Sequence, residues 1–340
     1  MDNSLFRELV QWGLPVIVAA VSLALTALLR RYALRHLLDA PNARSSHTSP
    51  TPRGGGVAIV ASFIAALALT GYAGLLPAPL VLALTLAGVL VACVGFIDDH
   101  GHIAARWRLL AHFAAAAIAL FILPEIPVPF VSLPLLALVA LGEAFYLAWM
   151  LNLYNFMDGI DGIAALEAIC VCLGGALVFL LGAPSLAAAP LLLAAATLGF
   201  LCWNWPPARI FMGDAGSGFL GFALGVLSLQ AAHQAPALFW SWAILLAVFV
   251  CDASLTLARR TFTGQKPYEA HRSHAYQHAA RRWGHLPVTL ATAAIDLFWL
   301  LPLALAVAVD RLHPAVAMAV AYAPLLALAC YLNAGAKEGE

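Results

Sequence analysis

Residues 79–99 read PLVLALTLAGVLVACVGFIDD. A helix needs about 20 apolar residues to cross the hydrocarbon core of a bilayer, and this run has that length before it ends in Asp98 and Asp99. The rest of the 340 residues has the same character, since 63% are hydrophobic and only 10% are charged. Soluble domains carry about 25% charged residues. The composition therefore excludes a soluble globular protein and predicts a chain that crosses a membrane several times.

Similar apolar runs lie on both sides of this one. Backbone N–H and C=O groups in lipid have to be satisfied within the segment, so each run is predicted to be a helix. We predict an all-α polytopic bundle of about 11 transmembrane helices, forming a single integral membrane domain over residues 1–340. The predicted spans are 12–29, 55–75, 79–97, 109–123, 132–151, 163–182, 186–203, 217–232, 237–258, 288–309 and 313–332.

The basic residues predict the orientation of these spans. All of them except Arg7 and Arg311 fall on one side of the predicted membrane. Because cytoplasmic loops are enriched in Lys and Arg, the N-terminus is predicted outside and the C-terminus in the cytoplasm. Lys plus Arg and Asp plus Glu number 17 each, so the net charge gives no support for nucleic-acid binding. The predicted cytoplasmic loops are 30–54, 98–108, 152–162, 204–216 and 259–287.

Five aspartates stand at three helix ends on this predicted cytoplasmic side: Asp98, Asp99, Asp158, Asp161 and Asp214. Singly, each could be a solvated helix end or a helix cap. Together they favour a hard cation, because acids near a bilayer are costly and usually functional. Mg²⁺ uses few carboxylates and often binds substrate phosphates. The pattern therefore indicates a magnesium site that a phosphate-bearing ligand would complete.

Glycines surround the aspartates at Gly159, Gly162, Gly213, Gly216 and Gly218. They could let the backbone approach a phosphate closely, or they could mark helix–helix contacts. The strings lack the lysine of a P-loop, so a Walker-type nucleotide site is rejected.

The loop after the ninth span contains HRSHAYQH at 271–278. His271, His274 and His278 are spaced as neighbours on one face of a helix. Zinc binding, a solvated basic loop and a surface that contacts phosphate or sugar all remain open. Zinc is disfavoured because no HExxH motif or nearby cysteine accompanies the histidines. Arginine and histidine are good donors to phosphate oxygens.

The first predicted cytoplasmic loop contains RSSHTSPTPRGGG at 44–56. This polar, basic segment ends in three glycines where a helix is predicted to begin. Arg44 and Arg53 could recognise an anion, or they could only fix the topology.

Taken together, these strings identify a resemblance. The sequence resembles the polyprenyl-phosphate N-acetylhexosamine-1-phosphate transferases, on five motifs that span residues 45–278. The histidine string lacks the HLHH or HHHFE ending of other branches, so the chain looks closer to the O-antigen-initiating branch than to the peptidoglycan branch. The matching strings are SSHTSPTPRGGG (45–56), GFIDDH (95–100), NFMDGIDG (155–162), FMGDAGSGFLG (211–221) and HRSHAYQH (271–278).

The resemblance implies a reaction and its partners. Undecaprenyl phosphate would attack the β-phosphorus of a UDP-N-acetylhexosamine, UMP would leave, and the first lipid-linked intermediate of a surface polysaccharide would form. It implies Mg²⁺, with Mn²⁺ as a substitute, a bacterial inner membrane with the site facing the cytoplasm, and a possible homodimer.

The resemblance also implies residue roles. Asp98, Asp99, Asp158 and Asp161 match catalytic acids, and Asp214 with Asp98 matches the metal-binding position. The residues implied to bind substrate are Asn155, Arg44, His47, Arg53, His271, Arg272, His274 and His278.

Two other classes of protein share some of these features. A transporter or lipid flippase also has many spans, but its polar groups lie at the membrane midplane beside broken helices, whereas these acids are predicted at the cytoplasmic edge. A polyprenyl diphosphate phosphatase would place its chemistry outside or use a histidine nucleophile, and the predicted external loops offer few candidates. The donor sugar stays open between UDP-N-acetylglucosamine and a 6-deoxy sugar.

Overall fold

The computed structural model describes residues 13–40, 49–101, 103–123, 133–265 and 271–336, and these residues form a bundle of helices. The prediction of an all-α polytopic membrane protein is confirmed. The helices, numbered here in chain order, are α1 (Leu14–His36), α2 (Val57–Tyr72), α3 (Ala78–His100), α4 (Ala105–Ile122), α5 (Leu133–Met157), α6 (Ile163–Gly182), α7 (Ala188–Asn204), α8 (Asp214–Gln234), α9 (Pro236–Leu245), α10 (Ala247–Phe262), α11 (Ala275–Trp283), α12 (His285–Ile295), α13 (Leu301–Ala308) and α14 (Pro314–Tyr331).

Each predicted span contains helix, but the spans differ in kind. Within the described ranges, 9 helical stretches are long and apolar enough to cross a membrane. α2 has only 16 residues. The predicted span 237–258 is broken at Leu246 into α9 and α10, whose axes differ by 71°. The count of crossings and the orientation of the termini remain predictions.

α8 forms the centre of the bundle. Every residue from Ala215 to Ala231 is buried, because α8 packs against α3 and α5 and also contacts α2, α6 and α9. A helix that is apolar all round suits such a fully enclosed position. Since α8 begins at Asp214, this packing places one of the predicted site residues where several helices end.

Short backbone pairings join the loops at this end of the bundle. Strands β1 (Leu38–Asp39) and β2 (Thr51–Pro52) pair antiparallel. β2 continues into a second pairing, where the Phe211 N–H donates to the Pro52 carbonyl at 2.8 Å and the Gly56 N–H donates to the Met212 carbonyl at 2.9 Å. The first loop is therefore fixed against the segment that precedes α8.

The glycines of this first loop serve packing. A Cβ atom on Gly56 would lie 2.3 Å from the Cα of Gly216, and one on Gly55 would lie 2.6 Å from the Phe200 ring. The starts of α2 and α8 therefore touch backbone to backbone, which only glycine permits.

Two acids face each other deep inside the bundle. Glu167 on α6 is 0% exposed, and Asp296, at the start of a π-helical segment (Asp296–Leu300) between α12 and α13, is 2% exposed. Their carboxyl groups lie close together, and none of their four oxygens has a hydrogen-bond partner among the described residues. Because an ionised carboxylate only accepts hydrogen bonds, the two can bond to one another only when one of them carries a proton.

Candidate active site

Three of the predicted acids are linked at the junction of α3, α4 and α8. Asp98 lies in the last turn of α3 and accepts a hydrogen bond from the Ile103 N–H at 2.6 Å. Arg108, in the first turns of α4, donates from Nη1 to Asp98 Oδ2 and, at 3.1 Å, to Asp214 Oδ2. The guanidinium group therefore bridges one acid from α3 and one from α8.

Asp99 faces the N-terminus of α8 and is only 3% exposed. Its carboxylate accepts from the Asp214 N–H at 3.2 Å and the Ala215 N–H at 3.4 Å. These are amides that the helix itself leaves unpaired, at its positive end. Arg53 adds to the anchor, with Nε 3.8 Å from Asp99 Oδ1 and Nη2 donating to the Asp99 carbonyl at 2.6 Å. Asp99 is therefore a buried and fully partnered acid.

Glycine makes this contact between α3 and α8 possible. Gly213 has φ of +76°, a conformation that side-chain-bearing residues rarely adopt. A Cβ atom there would lie 2.6 Å from Asp99 Oδ2. On the opposite side, a Cβ atom on Gly95 would lie 2.5 Å from the Asp214 carbonyl oxygen. The GDAGSG string therefore brings two acid-bearing helix ends into direct contact.

Asp158 lies between α5 and α6 in a different environment. Burial raises the pKa of its carboxyl well above the usual range, and the carboxylates of Asp214, Asp99 and Asp161 raise it further. No described side chain donates a hydrogen bond to it. Asp158 therefore shares an anionic region with the other acids, and a cation there would relieve the repulsion between them.

Asn155 stands beside Asp214 and donates to Ser217 Oγ at 3.3 Å. Both Asn155 and Asp214 line a polar cavity of about 20 Å³, together with Arg108, His112 and Asn152. A volume of this size holds about one water molecule.

Asp161 is occupied by structural contacts. Its Oδ2 accepts from the Ala208 N–H at 3.1 Å and lies 3.2 Å from His285 Nδ1, while its carbonyl accepts from Thr289 Oγ1 at 2.9 Å. These bonds attach the α5–α6 connection to the segment after α7 and to α12. The geometry gives Asp161 a loop-fixing role through Oδ2, and its catalytic role stays a prediction.

The predicted single helical face of His271, His274 and His278 is wrong. α11 begins at Ala275, so His271 and His274 precede it and only His278 is helical. His274 has extended backbone (φ −69°, ψ 151°) and its side chain is nearly fully buried, with Nδ1 3.2 Å from Asp252 Oδ1. The spacing misleads because the carboxylate of Asp252, distant in sequence, accepts from the first amides of α11 and so fixes the start of the helix at Ala275. His274 is thus a packed residue, which argues against direct substrate contact.

The other predicted binding residues have mixed positions. His271 is half-buried, with Nδ1 3.0 Å from Ser273 Oγ. His278 Nδ1 accepts from Arg281 Nη2 at 2.8 Å, and the Arg272 carbonyl accepts from Arg281 Nη1 at 3.0 Å. Arg53 lies at the acid cluster. Arg44 and His47 lie outside the described residues.

The chemistry of the acids fits Mg²⁺. Carboxylate oxygens are the ligands this ion prefers, and it commonly takes one or two of them and completes its shell with water and phosphate oxygens. Asp214 is the most open of the three linked acids, with a third of its side chain exposed against 7% for Asp98 and 1% for Asp99. Among the described residues there is no group of three or more His, Cys, Asp or Glu side chains placed to hold a metal. An ion held by one or two of these acids would need water or phosphate oxygens for the rest of its shell.

Sequence reasoning missed two residues that organise the site. Arg108 looks like a loop residue that only sets the topology, because the predicted fourth span starts at residue 109, whereas α4 begins at Ala105. Asp252 lies inside the predicted span 237–258 and has no predicted role. An acid within an apolar run is itself a sign of a functional residue.

Known proteins resemble this chain over most of its length. A protein of Bacillus subtilis (strain 168), a probable undecaprenyl-phosphate N-acetylglucosaminyl 1-phosphate transferase, is 29% identical over 298 residues, covering 81% of this chain and 78% of the relative. The decaprenyl-phosphate N-acetylglucosaminephosphotransferase of Mycolicibacterium smegmatis (strain ATCC 700084 / mc(2)155) is 30% identical over 319 residues, covering 82% and 77%. The phospho-N-acetylmuramoyl-pentapeptide-transferase of Gluconobacter oxydans (strain 621H) is 32% identical over 236 residues, covering 59% and 62%.

The fold and the acid cluster define a multi-pass membrane protein with polar chemistry gathered at one end of its bundle. Residues 81–232 match glycosyl transferase family 4. The chain belongs to this family of membrane-bound phosphosugar transferases and is an enzyme.

Proposed function

We propose that this protein transfers a sugar-1-phosphate from a UDP-N-acetylhexosamine to undecaprenyl phosphate, releasing UMP. The lipid phosphate oxygen attacks the β-phosphorus, and the bond from that phosphorus to the oxygen of UMP breaks. The bond from the sugar C1 to its oxygen stays intact, so the anomeric configuration is retained. The named activities of the relatives support the reaction class.

The observation that carries the proposal is the acid cluster around Arg108. Asp98 and Asp214 both pair with its guanidinium group, and Asp99 accepts a hydrogen bond from the N-terminus of α8. The charges of Asp214 and Asp99 raise the pKa of Asp158. Phosphoryl transfer depends mainly on positioning and on charge stabilisation. A bound Mg²⁺ would supply that stabilisation by screening the two phosphates from one another.

The chain's own residues have separable tasks in this scheme. Asp214, the most open of the linked acids, would hold the ion, with Asp98 beside it. Asp99 and Arg53 keep α3 and α8 in register, so that both acids point into one space. Arg108 offers a donor that a phosphate oxygen could share when substrate enters.

An apolar cavity of about 350 Å³ supports a lipid acceptor. It lies between α10, α11, α12 and α14, and its wall is almost entirely hydrocarbon. Its polar edge is formed by Asp252 and Tyr276, whose hydroxyl donates to the Phe156 carbonyl next to the Asp158 segment. A prenyl chain there would bring its phosphate toward the acids.

The direct test is UMP release by purified protein in detergent with Mg²⁺, undecaprenyl phosphate and a panel of UDP-N-acetylhexosamines. We expect UMP only when both lipid and donor are present. Substrate flux into proteoliposomes without UMP would indicate a transporter, and phosphate release without a donor would indicate a phosphatase.

Asp214→Asn tests the proposed metal position. Replacing a carboxylate by an amide of the same shape should lower turnover by roughly two orders of magnitude or more, because a hard cation loses an anionic ligand. Thermal unfolding should show a folded variant. Near-normal turnover at saturating Mg²⁺ would remove Asp214 from this role.

We further propose that the product enters O-antigen synthesis at the inner membrane, with the site facing the cytoplasm. The HRSHAYQH string and the N-acetylglucosamine named for two relatives support a simple N-acetylhexosamine donor. In the donor panel, preference for UDP-N-acetylmuramoyl-pentapeptide would contradict this assignment. A homodimer is proposed on family grounds, and mass measurement in detergent would test it.

A further inference from the structure

Asp252 on α10 is a buried acid at the edge of the apolar cavity, and the proposed phosphoryl transfer gives it no chemical step. It is 5% exposed. Its Oδ1 accepts from the Ala275 N–H at 2.9 Å and lies 3.2 Å from His274 Nδ1, and its Oδ2 accepts from the Tyr276 N–H at 2.9 Å. Thr256, one turn along α10, donates to Oδ1 at 3.0 Å. One carboxylate therefore receives four hydrogen bonds.

These bonds define where α11 starts. The Ala275 and Tyr276 amides belong to the first turn of α11, whose donors have no partner inside the helix. An anionic carboxylate at this end also interacts favourably with the helix dipole. His274 Nδ1 is held by the same group, so the histidine before the helix cannot rotate freely.

The constraint passes from α11 to the acid cluster through Tyr276. The Tyr276 hydroxyl donates to the Phe156 carbonyl at 3.0 Å. A Cβ atom on Gly159 would lie 2.1 Å from the Tyr276 hydroxyl oxygen, so the two residues are in direct contact. Phe156 and Gly159 flank Asp158 closely in the chain. A path of direct contacts therefore runs from Asp252 through Tyr276 to the segment that carries Asp158.

The loop that Asp252 anchors also presents neutral and charged donors at fixed places. Burial, and then the positive charges of His274 and Arg260, lower the pKa of His271 to about 3. His271 is therefore a neutral hydrogen-bonding group at pH 7. Its ring stacks on His274, with centroids 5.0 Å apart, so its position depends on the residue that Asp252 holds.

We propose that Asp252 is a positioning residue of the donor site, one that fixes the 271–278 segment and the Asp158 segment relative to each other without touching the nucleotide sugar. This inference rests on the proposed transferase function. It separates the 271–278 segment into an anchor, formed by His274 and Tyr276 with Asp252, and residues such as His271 whose positions depend on that anchor.

Kinetics of three variants test the proposal. Asp252→Ala removes all four acceptor contacts and should raise KM for the UDP-sugar roughly ten- to a hundredfold, since hydrogen bonds to a buried charge are being lost. KM for undecaprenyl phosphate should rise by a smaller factor, because Asp252 borders the apolar cavity only at its edge. Asp252→Asn keeps one acceptor oxygen and should be intermediate. Thr256→Val is the matched control, because it removes only the bond within α10 and should stay within about twofold of wild type.

Tyr276→Phe separates the second step of the path. It deletes only the hydroxyl that reaches Phe156 and should lower kcat, with a smaller effect on KM for the donor, because the Asp158 segment loses its tether. An unchanged kcat in this variant would overturn the link from Asp252 to Asp158.

Hydrogen–deuterium exchange supplies a readout that needs no substrate. In Asp252→Ala the amides of the 275–276 turn should exchange much faster, while α8 amides keep wild-type protection. If Asp252→Ala shows this faster exchange but the wild-type protein releases no UMP, the transferase function is overturned while the anchoring role of Asp252 is supported. Wild-type exchange in Asp252→Ala, or equal increases in both KM values, would overturn the anchor itself.

Discussion

Asp99 and Asp158 belong to one acidic region but have opposite surroundings. Asp99 accepts two helix-end amides and pairs with Arg53, contacts that hold the fold and offset part of the rise in its pKa that burial causes. Asp158 is partly buried near three other carboxylates, and desolvation together with their charges raises its pKa with no opposing contact. Uncompensated charge of this kind is expected where function, and not stability, selects the residue.

Asp158→Asn should therefore stabilise the protein while it impairs turnover. The folded-state pKa lies above the unfolded value of about 3.9, so the folded protein binds the extra proton. Stability is then highest at low pH and falls as pH rises toward the folded-state pKa. The variant should gain roughly 1 kcal/mol, and its gain in thermal unfolding midpoint should be larger at pH 8 than at pH 5. A lower midpoint than wild type at pH 8 would contradict this account.

Gly213→Ala tests the α3–α8 contact. Alanine at φ of +76° is strained, and its Cβ would collide with Asp99 Oδ2, so we expect a loss of about 2 kcal/mol or more. Gly142→Ala on α5 is the control, since nothing lies within 4 Å of its Cβ position. The control should leave the unfolding midpoint unchanged or slightly raised.

The sequence allowed these acids to be found but not their partners. Asp98, Asp99 and Asp214 stand out because an apolar run ends or begins beside each of them. That Asp99 caps α8, or that Asp252 caps α11, depends on contacts between residues far apart in the chain. Local spacing carries no such information, and it placed His271, His274 and His278 on one helical face that does not exist.

At the scale of elements, the glycines of α8 set how closely its neighbours approach. A Cβ atom on Gly221 would lie 2.3 Å from the Met150 carbonyl and 2.8 Å from Tyr154 Cβ, whereas the nearest atom to one on Gly218 is at 3.4 Å. Close backbone approach through small residues is how membrane helices gain packing contacts.

Gly221→Ala should consequently separate α5 from α8 and lower the unfolding midpoint, at a cost of roughly 1–3 kcal/mol. Gly218→Ala, one turn earlier on the same helix, should be neutral or stabilising by up to about 1 kcal/mol. Equal midpoints for the two variants would show that the α5–α8 contact is not limited by Gly221.

Helix positions followed from hydropathy, but helix ends did not. The predicted fourth and eighth spans start at residues 109 and 217, because Arg108 and Asp214 look like loop residues. In the structure, α4 and α8 begin at Ala105 and Asp214. Arg108 and Asp214 can lie inside helical turns because their opposite charges form an ion pair. The bend between α9 and α10 occurs at Leu246 without a proline or glycine at the break, so the sequence does not predict it.

For the whole molecule, the number of crossings decides the topology. If α2 and the bent pair α9–α10 each count as one crossing beside the 9 long stretches, the total is odd and the termini lie on opposite sides. We expect a fluorescent protein fused after residue 340 to mature in the cytoplasm. Alkaline phosphatase fused between α1 and α2 should be inactive, because that loop carries the basic residues. An active phosphatase there would reverse the predicted orientation.

The Glu167–Asp296 contact has a consequence for how the chain is made. α6 enters the bilayer long before the segment that carries Asp296 is synthesised, so Glu167 first stays in lipid with no carboxyl partner. Glu167 lies in the second turn of α6, and an unpaired acid in lipid costs free energy, up to roughly 3 kcal/mol at the membrane centre. We expect a chain truncated after Gly284 to be degraded quickly in cells, and Glu167→Gln in the same truncation to lengthen its half-life.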